Sequence, residues 1–273
     1  MRIAIIGAGN IGATTAYTLI NQLEFDELVL VDVAKELAEG QALDLAHAAH
    51  ALGKKTKVTS GGWEQLKGAG IIVNSAGLPR KPGMTRTDLL EKNKQILESI
   101  AAEIKKNASP DAVLVQVANP SDALTYLLWK LTGYPREQVL GLGSLLDTER
   151  YLYCGGKGMV IGEHGETMVF LEQEKDKAEM AKNTAADVIK KKGCTAFGPA
   201  ACICRIVKAI AEDRKELLPI QFVLKGEYGI TDVAIGVPVK VGKKGGKAEE
   251  MAISKQKKEE LQRSAEKLKE MLN

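Results

Sequence analysis

Residues 1–32 read MRIAIIGAGNIGATTAYTLINQLEFDELVLVD, and the architecture of the chain follows from this stretch. The apolar run Ile3–Ile6 stops at a glycine-rich turn, after which apolar residues recur at helical spacing as far as Leu23. A second, shorter apolar run ends at Asp32. The pattern predicts a strand, a tight turn, a helix and a second strand, which is the arrangement that binds dinucleotides.

The turn, GAGNIG, has a glycine at each of the three positions where a dinucleotide-binding turn needs one. Gly7 permits the tight turn, Gly9 lets a pyrophosphate approach the backbone, and Gly12 lets the helix lie close to the strand. The start of the helix then offers free N–H groups and a partial positive charge to the phosphates. The predicted cofactor-binding residues of this unit are Gly7, Gly9, Asn10, Ile11, Gly12 and Asp32.

Asp32 lies twenty residues after Gly12, the distance at which such a unit places its ribose-binding acid. An ordinary glycine turn is the alternative, but it would require neither the helix nor an acid at this spacing. A carboxylate here accepts hydrogen bonds from the ribose hydroxyls and repels a 2′-phosphate, so we expect NAD as the cofactor. Lys35 lies nearby and would tolerate the phosphate of NADP.

The composition excludes several classes of protein. The 38 Lys and Arg residues nearly balance the 35 Asp and Glu residues, and the net charge of +3 argues against a dedicated nucleic-acid or membrane binder. We therefore expect a small-molecule partner. The four cysteines have no CxxC spacing and are predicted to be free thiols of a cytoplasmic protein. No apolar run has the length of a membrane span.

Three further apolar runs, residues 70–75, 112–117 and 139–142, have the continuous apolar character of buried parallel strands. They alternate with helical patterns, so we predict an α/β fold of the Rossmann type, with a doubly wound parallel sheet. At 273 residues the chain is long enough for two domains. The glycines at positions 141 and 143 mark the expected boundary between them.

A dinucleotide-binding domain of residues 1–142 would thus be followed by an α+β substrate and catalytic domain of residues 143–273. In this second part, the segment Gly193–Pro199 is predicted to separate two helices. The later apolar runs end at glycines, including a predicted turn at Gly236, and suggest an antiparallel sheet. These predicted strands are residues 220–224, 233–235 and 237–241.

A basic loop follows the strand of residues 70–75. Its sequence over residues 76–86, AGLPRKPGMTR, contains two prolines and cannot form regular structure. Ligands of an open parallel sheet bind beyond the carboxyl ends of the strands, where this loop begins. A solvated basic turn is the alternative. The basic side chains of the loop are Arg80, Lys81 and Arg86.

Two asparagines are further candidates at the same edge of the sheet. Asn119 follows the next buried strand, and Pro120 prevents that strand from continuing regularly. Asn93 interrupts the apolar face of the helix after the basic loop. Asn93 would either contact the cofactor or be a buried amide whose hydrogen bonds are satisfied within the protein.

Titratable candidates lie at the start of the second part of the chain. Asp147 and Arg150 are three residues apart and are therefore predicted to be neighbours on one face of a helix. His164 lies between two glycines after an apolar run and is well placed for access, although a loop histidine is more often inert. Asp44, His47 and His50 have a spacing that could gather a metal, but a helix packed on solvent or on a partner subunit explains them equally. No metal is predicted.

Six motifs, in this order, resemble those of the lactate/malate dehydrogenase family over essentially the full chain. Among the branches of that family, the chain is most similar to the archaeal-type malate dehydrogenases. Two connections, Arg150 to His164 and His164 to Thr195, are shorter than the family generally has. The motifs are GAGNIG, AGLPRKPGMTR, VANP, LLDTER, GEHGE and GEYGITDVAIGVP.

The resemblance implies roles for individual residues. His164 would donate and accept the proton, with Asp147 as its partner, and Arg86 would polarise the substrate carbonyl. The substrate-binding residues would be Arg80, Arg86, Asn119, Arg150 and Thr195. Besides the glycine turn and Asp32, the cofactor-binding residues would be Ala76, Gly77, Asn93, Val117 and Asn119.

The resemblance also implies a substrate, because Arg80 occupies the position where malate-specific members place an arginine for the second carboxylate. We therefore expect a small dicarboxylate as substrate. A lactate or broader 2-hydroxyacid dehydrogenase is one alternative, and an NAD-binding module without catalysis is another. The family resemblance further implies a homodimer or homotetramer.

Overall fold

A computed structural model describes residues 1–79 and 83–272, and of Arg86 it describes only the main chain. Within these ranges the chain forms eleven strands and eight α-helices. The strands are β1 (Arg2–Ile6), β2 (Glu27–Val31), β3 (Lys57–Gly61), β4 (Ala69–Asn74), β5 (Val113–Gln116), β6 (Val139–Gly141), β7 (Lys157–Gly162), β8 (Met168–Glu172), β9 (Glu216–Lys225), β10 (Thr231–Gly242) and β11 (Gly245–Ala248). The helices are α1 (Asn10–Gln22), α2 (Lys35–Ala51), α3 (Arg86–Asn107), α4 (Ser121–Thr132), α5 (Gly143–Tyr153), α6 (Lys175–Lys192), α7 (Phe197–Ala211) and α8 (Lys255–Leu272).

The described strands form one sheet in the order β3-β2-β1-β4-β5-β6-β9-β10-β7-β8, with β11 paired to β10. The first six strands of this order are parallel, and the strand order reverses at β1, which pairs with both β2 and β4. The chain therefore has the predicted doubly wound parallel sheet of the Rossmann type. The pairing becomes antiparallel from β6 onward.

The parallel strands other than the edge strand β3 are buried on both faces, which explains their continuous apolar sequences. In β1, Ile3 and Ile5 pack into one hydrophobic cluster, whereas Ala4 and Ile6 pack into the cluster on the opposite face. Side chains alternate along a strand, so both faces must be apolar when helices cover both sides. Burial of apolar surface in each cluster stabilises the fold by about 25 cal/mol for every Å² removed from water.

The carboxyl ends of the parallel strands lie at one edge of the sheet. The glycine turn follows β1, and the basic loop follows β4. Asn119 lies beyond the end of β5, and α5 begins directly after β6. The topology thus gathers the predicted polar segments at the edge where ligands of such sheets bind.

The predicted turn at Gly236 was wrong, because Gly236 lies inside the single long strand β10 and pairs with Gly162 of β7. A Cβ at position 236 would lie 1.7 Å from Ser144 Oγ, so glycine is needed for close packing of the strand on α5 and not for chain reversal. The two short strands predicted on either side of Gly236 are therefore one. Their predicted antiparallel pairing with the preceding strand is confirmed.

The predicted break over residues 193–199 is too long, since α7 already begins at Phe197. Pro199 is the third residue of that helix, where a main-chain N–H would have no partner within the helix in any case. The strands β3, β7, β8 and β11 were not predicted. β3 and β11 are short and polar or glycine-containing, whereas β8 is short and mostly apolar, and β3 and β8 are the two ends of the described sheet.

All four cysteines are free thiols, as predicted. No described helix combines the length and the apolar character that crossing a bilayer requires. Asp44, His47 and His50 lie on the exposed side of α2.

Candidate active site

The glycine turn has the geometry that the sequence predicts for phosphate binding. Gly7 has a φ of +97°, which side chains other than glycine rarely tolerate, and its N–H donates to Val31 O of the neighbouring strand at 2.8 Å. A Cβ on Gly12 would lie 1.8 Å from Gly7 O, so α1 packs directly on the turn. A Cβ on Gly9 would meet no described atom within 4 Å. Gly9 therefore leaves the approach to the main chain open for a pyrophosphate.

This contrast predicts different effects for two alanine variants. Gly12→Ala should force α1 away from Gly7 and lower the free energy of unfolding by about 1–3 kcal/mol. Gly9→Ala should leave the melting temperature unchanged but weaken NADH binding, because its methyl group projects where the cofactor would lie. Thermal melts and NADH fluorescence titrations measure both effects. Gly40→Ala, at an exposed position of α2, is the control that should change neither NADH binding nor the cooperativity of folding.

Asp32 lies immediately after β2 and is anchored on both sides. Its Oδ2 accepts the N–H of Ala8 at 2.6 Å, and its Oδ1 accepts the N–H of Ala34 at 2.9 Å. The carboxylate is thereby fixed beside the glycine turn, where a dinucleotide-binding unit places its ribose-binding acid. Lys35, the first residue of α2, is exposed three residues further on.

Asn93 links two of the loops at the carboxyl edge. Its Oδ1 accepts the N–H of Leu78 at 2.7 Å, and its Nδ2 donates to Leu78 O at 3.2 Å and to Asn119 O at 2.7 Å. The side chain is 2% exposed, so the structure shows the buried, satisfied amide that the sequence left open as an alternative. Asn93 positions the segments that carry Gly77 and Asn119.

The remaining predicted cofactor-binding residues lie along the same edge. Ala76 and Gly77 follow β4, and Gly77 packs so closely on Ala118 that an added Cβ would lie 2.9 Å from the alanine Cβ. Val117 is buried, and its N–H donates to Asn74 O at 3.0 Å. Asn119 is exposed.

Asn10 and Ile11 begin α1 at this edge. Asn10 is exposed and its Nδ2 donates to Cys194 Sγ at 3.3 Å, whereas Ile11 is half-buried.

Helix α5 is held against β7 by two hydroxyl side chains. Thr148 Oγ1 accepts the N–H of Val160 at 2.9 Å, and Ser144 Oγ donates to Gly162 O at 3.2 Å. A Cβ at Gly143, the first residue of α5, would lie 2.6 Å from the Cβ of His164. The helix can therefore approach the histidine closely, and this places Asp147 opposite the imidazole.

His164, Asp147 and Arg150 form a compact charged group. His164 Nδ1 lies 2.6 Å from Asp147 Oδ2, and Arg150 Nη1 donates to Asp147 Oδ1 at 3.4 Å. Their side chains are only 16%, 4% and 14% exposed, respectively. The shortened connection between Arg150 and His164 thus preserves the contact between the histidine and its predicted partner.

The surroundings of His164 favour the protonated imidazole. Burial alone would lower the pKa of His164, but the carboxylates of Asp147 and Asp122 raise it, and the result is a pKa above the ordinary histidine value. Arg150 opposes this effect in part. A buried histidine whose acid form is stabilised by carboxylates can give up and take back a proton, which general acid–base catalysis requires.

A cavity of about 630 Å³ reaches Arg150 of the charged group, whereas Asp147 and His164 are not among its lining residues. Arg150 and Thr195 both line it, together with apolar side chains of α5 and α7 that include Leu146 and Pro199. Two predicted substrate-binding groups are thus brought to one cavity. Arg80 lies outside the described residues, and so does the side chain of Arg86.

Sequence reasoning missed two residues that support this site, Asp122 and Gln221. Asp122 accepts the main-chain N–H of His164, and Gln221 Oε1 accepts the N–H of Gly143. Gln221 is a lone polar residue inside the apolar run of β9, which is the signal that could have found it. Asp122 has no such signal, because acids are common in the first turn of a helix.

Two family models match the chain in tandem. The model of the lactate/malate dehydrogenase NAD binding domain matches residues 1–141, and that of the lactate/malate dehydrogenase alpha/beta C-terminal domain matches residues 170–273. The chain belongs to the lactate/malate dehydrogenase family. Asp147, Arg150 and His164 lie between the two matched ranges, in a part of the chain that full-length relatives nevertheless cover.

Similar proteins in this family include both of its named activities. Malate dehydrogenase from Archaeoglobus fulgidus is 44% identical over 290 residues, covering all of this chain and 98% of the relative, and its structure in complex with NADH has a TM-score of 0.95. L-lactate dehydrogenase from Clostridium botulinum is 38% identical over 307 residues, covering all of this chain and 96% of the relative. The structure of a minor L-lactate dehydrogenase from Enterococcus mundtii is 33% identical, with a TM-score of 0.91 and coverage of 99% and 97%.

Family membership and the geometry of the glycine turn agree on the cofactor. The chain has the NAD-binding domain of this family, with Gly9 open and Asp32 fixed beside the turn. It is therefore an NAD-dependent oxidoreductase of the lactate/malate dehydrogenase family that acts on a small molecule.

Proposed function

We propose that this protein is a malate dehydrogenase, which transfers a hydride reversibly between (S)-malate and NAD and so interconverts malate and oxaloacetate. The observation that carries the proposal is the contact of His164 with Asp147 and of Asp147 with Arg150, whose guanidinium lines a cavity. Arg80 in the loop after β4 supports a dicarboxylate as the substrate. When bound, the nicotinamide accepts or returns the hydride.

His164 acts as the general base for malate oxidation and as the general acid for oxaloacetate reduction. Asp147 contacts Nδ1 at 2.6 Å, so the exchanged proton is carried at Nε2. The carboxylate fixes the tautomer and the orientation of the ring and stabilises the imidazolium that forms. Loss of the hydroxyl proton to His164 lets the alcohol carbon become a carbonyl as the hydride leaves.

Three arginines divide the binding of the substrate among them. Arg150 pairs with the carboxylate next to the reacting carbon, where a guanidinium can donate two parallel hydrogen bonds. Arg86 polarises the carbonyl oxygen, and Arg80 pairs with the second carboxylate. Asn119 donates to a substrate oxygen, and Thr195 lines the cavity near Arg150.

Arg80 discriminates between dicarboxylates and monocarboxylates. With pyruvate bound, the guanidinium would have lost water without gaining a carboxylate, and an unpaired charge in a closed site is costly. A hydrogen bond to a charged group contributes about 1.5–3 kcal/mol net. Malate and oxaloacetate are therefore favoured over lactate and pyruvate.

An assay of NADH oxidation with oxaloacetate and with pyruvate tests the proposal directly. We expect rapid loss of NADH absorbance with oxaloacetate and a specificity constant, kcat/KM, at least about 10² lower with pyruvate. A preference for pyruvate would instead identify a lactate dehydrogenase, whose named members are similar to this chain over its full length. NADH binding without turnover of either keto acid would identify a non-catalytic NAD-binding module.

We further infer a homodimer or homotetramer, with the boundary between the two parts of each chain at residues 142 and 143, where β6 gives way to α5. Tyr153 and Phe197 line the cavity, and the two residues are 88% and 72% exposed in the single chain. Covering such side chains with a second copy removes apolar surface from water. Light scattering of the purified protein measures the mass of the assembly, and a monomeric mass would contradict this inference.

A further inference from the structure

Asp122 is a buried acid that contacts the segment carrying His164. It is the second residue of α4 and is 2% exposed. Its Oδ2 accepts the main-chain N–H of His164 at 2.9 Å, and its Oδ1 is buried without a hydrogen-bond partner among the described residues. A buried carboxylate with an unsatisfied oxygen costs stability, so it is expected at places where the charge serves another purpose.

The segment that carries His164 needs anchors, because glycines flank it. Gly162, with a φ of +88°, and Gly165 both permit main-chain conformations that other residues would restrict. The N–H of Glu163 donates to Ser264 Oγ at 2.9 Å, and the N–H of His164 donates to Asp122. Asp122 thus connects the histidine to α4, whereas Asp147 connects it to α5.

We propose that Asp122 is a positioning residue for the dehydrogenase reaction, holding the main chain of His164 so that the imidazole stays against Asp147 and favouring the imidazolium by its charge. This inference rests on the proposed function, because it assigns Asp122 to the same proton transfer. Asp122 touches the histidine only through the main chain and is not itself a catalytic residue.

The charges around His164 come from three elements. Asp147 and Arg150 face it from α5, Asp122 faces it from α4, and Glu163 precedes it in its own segment. The pKa of Asp122 is raised to about 7, chiefly by burial and also by the charge of Glu163, and the charge of His164 opposes this rise. The titrations of Asp122 and His164 are therefore coupled, and each group favours the charged form of the other.

Two substitutions separate the hydrogen bond from the charge. Asp122→Asn keeps an oxygen acceptor for the N–H of His164 but removes the negative charge, so the pKa of His164 should fall by about half a unit to one unit. As the pH rises, oxaloacetate reduction, which uses the imidazolium, should decline at a lower pH than in the parent enzyme. As the pH falls, malate oxidation, which uses the neutral imidazole, should persist to a lower pH than in the parent. Asp122→Ala removes the acceptor as well, and kcat should fall roughly ten- to a hundredfold because the imidazole is no longer held in place.

The test measures pH profiles of kcat in both directions and, independently, the titration of isotope-labelled histidine rings by NMR. The chain has three histidines, and the two besides His164 are His47 and His50 on α2. Asp111→Asn, an exposed acid at the opposite edge of the sheet, is the matched control that should reproduce the parent. The Asp122→Asn variant should have a kcat at its optimum within about threefold of the parent, with NADH binding unchanged.

Identical His164 titrations and pH profiles in Asp122→Asn and Asp111→Asn would overturn the proposal. If Asp122→Ala fails to fold, as thermal melts would show, the Asp122→Asn variant still decides between the outcomes. A parent protein that turns over no keto acid would refute the proposed function instead. In that case the ring titration still reports whether Asp122 favours the imidazolium.

Discussion

Replacing His164 by Asn should reduce turnover of oxaloacetate by about 10² to 10⁴ while NADH still binds. Asparagine is similar in shape and can retain a hydrogen bond to Asp147, but it cannot carry the exchanged proton at any accessible pH. The glycine turn and Asp32 are untouched by the change, so cofactor affinity should stay within about twofold. Steady-state assays and NADH fluorescence titrations measure the two effects separately.

The control for this variant is His47→Asn, which removes an exposed histidine of α2. It should have the turnover of the parent. A near-normal rate in His164→Asn would remove His164 from the mechanism, because no other described histidine contacts Asp147.

The second large effect is expected at Arg80, where Gln should reverse the preference among keto acids. Without the guanidinium, the second carboxylate of oxaloacetate has no countercharge, and the penalty that pyruvate would suffer from an unpaired arginine is gone. We expect the ratio of kcat/KM for oxaloacetate over pyruvate to fall by roughly 10² to 10⁴. The measurement is that ratio, determined at saturating NADH.

Two further variants make the Arg80 experiment specific. Lys81→Gln removes the adjacent positive charge and should leave the ratio almost unchanged, which separates a local pairing from a general electrostatic attraction. Arg80→Lys keeps the charge but cannot donate in the two-pronged geometry, so it should give an intermediate ratio. Unchanged selectivity in Arg80→Gln would dismiss the assignment of Arg80 to the second carboxylate.

The sequence alone was sufficient for the dinucleotide-binding unit because its signals are local. The glycine spacing, the apolar run of β1 and the acid after β2 all lie within the first 32 residues and determine one strand–turn–helix unit. The close approach of Gly12 to Gly7 is a direct structural consequence of that spacing. The pairing of Asp147 with Arg150 was also predictable, because the geometry of a helix fixes which residues are neighbours.

Gly236 shows where local reasoning failed. A glycine between two apolar runs reads as a turn in the sequence, but it is also what a strand needs where another backbone approaches closely. Only the packing of β10 against Ser144 and Gly162 distinguishes these two meanings.

What the sequence by itself determined is the set of chemical groups: a dinucleotide turn, a helical acid–arginine pair and a histidine between glycines. Only the tertiary structure decided how those groups meet. Asp122 accepts a hydrogen bond from the main chain of His164, 42 residues away in the sequence, and Gln221 accepts one from Gly143, 78 residues away. The physical reason is that these contacts depend on how separate elements dock. Side-chain hydrogen bonds between distant segments leave no periodic pattern in the chain, whereas turns and helical faces do.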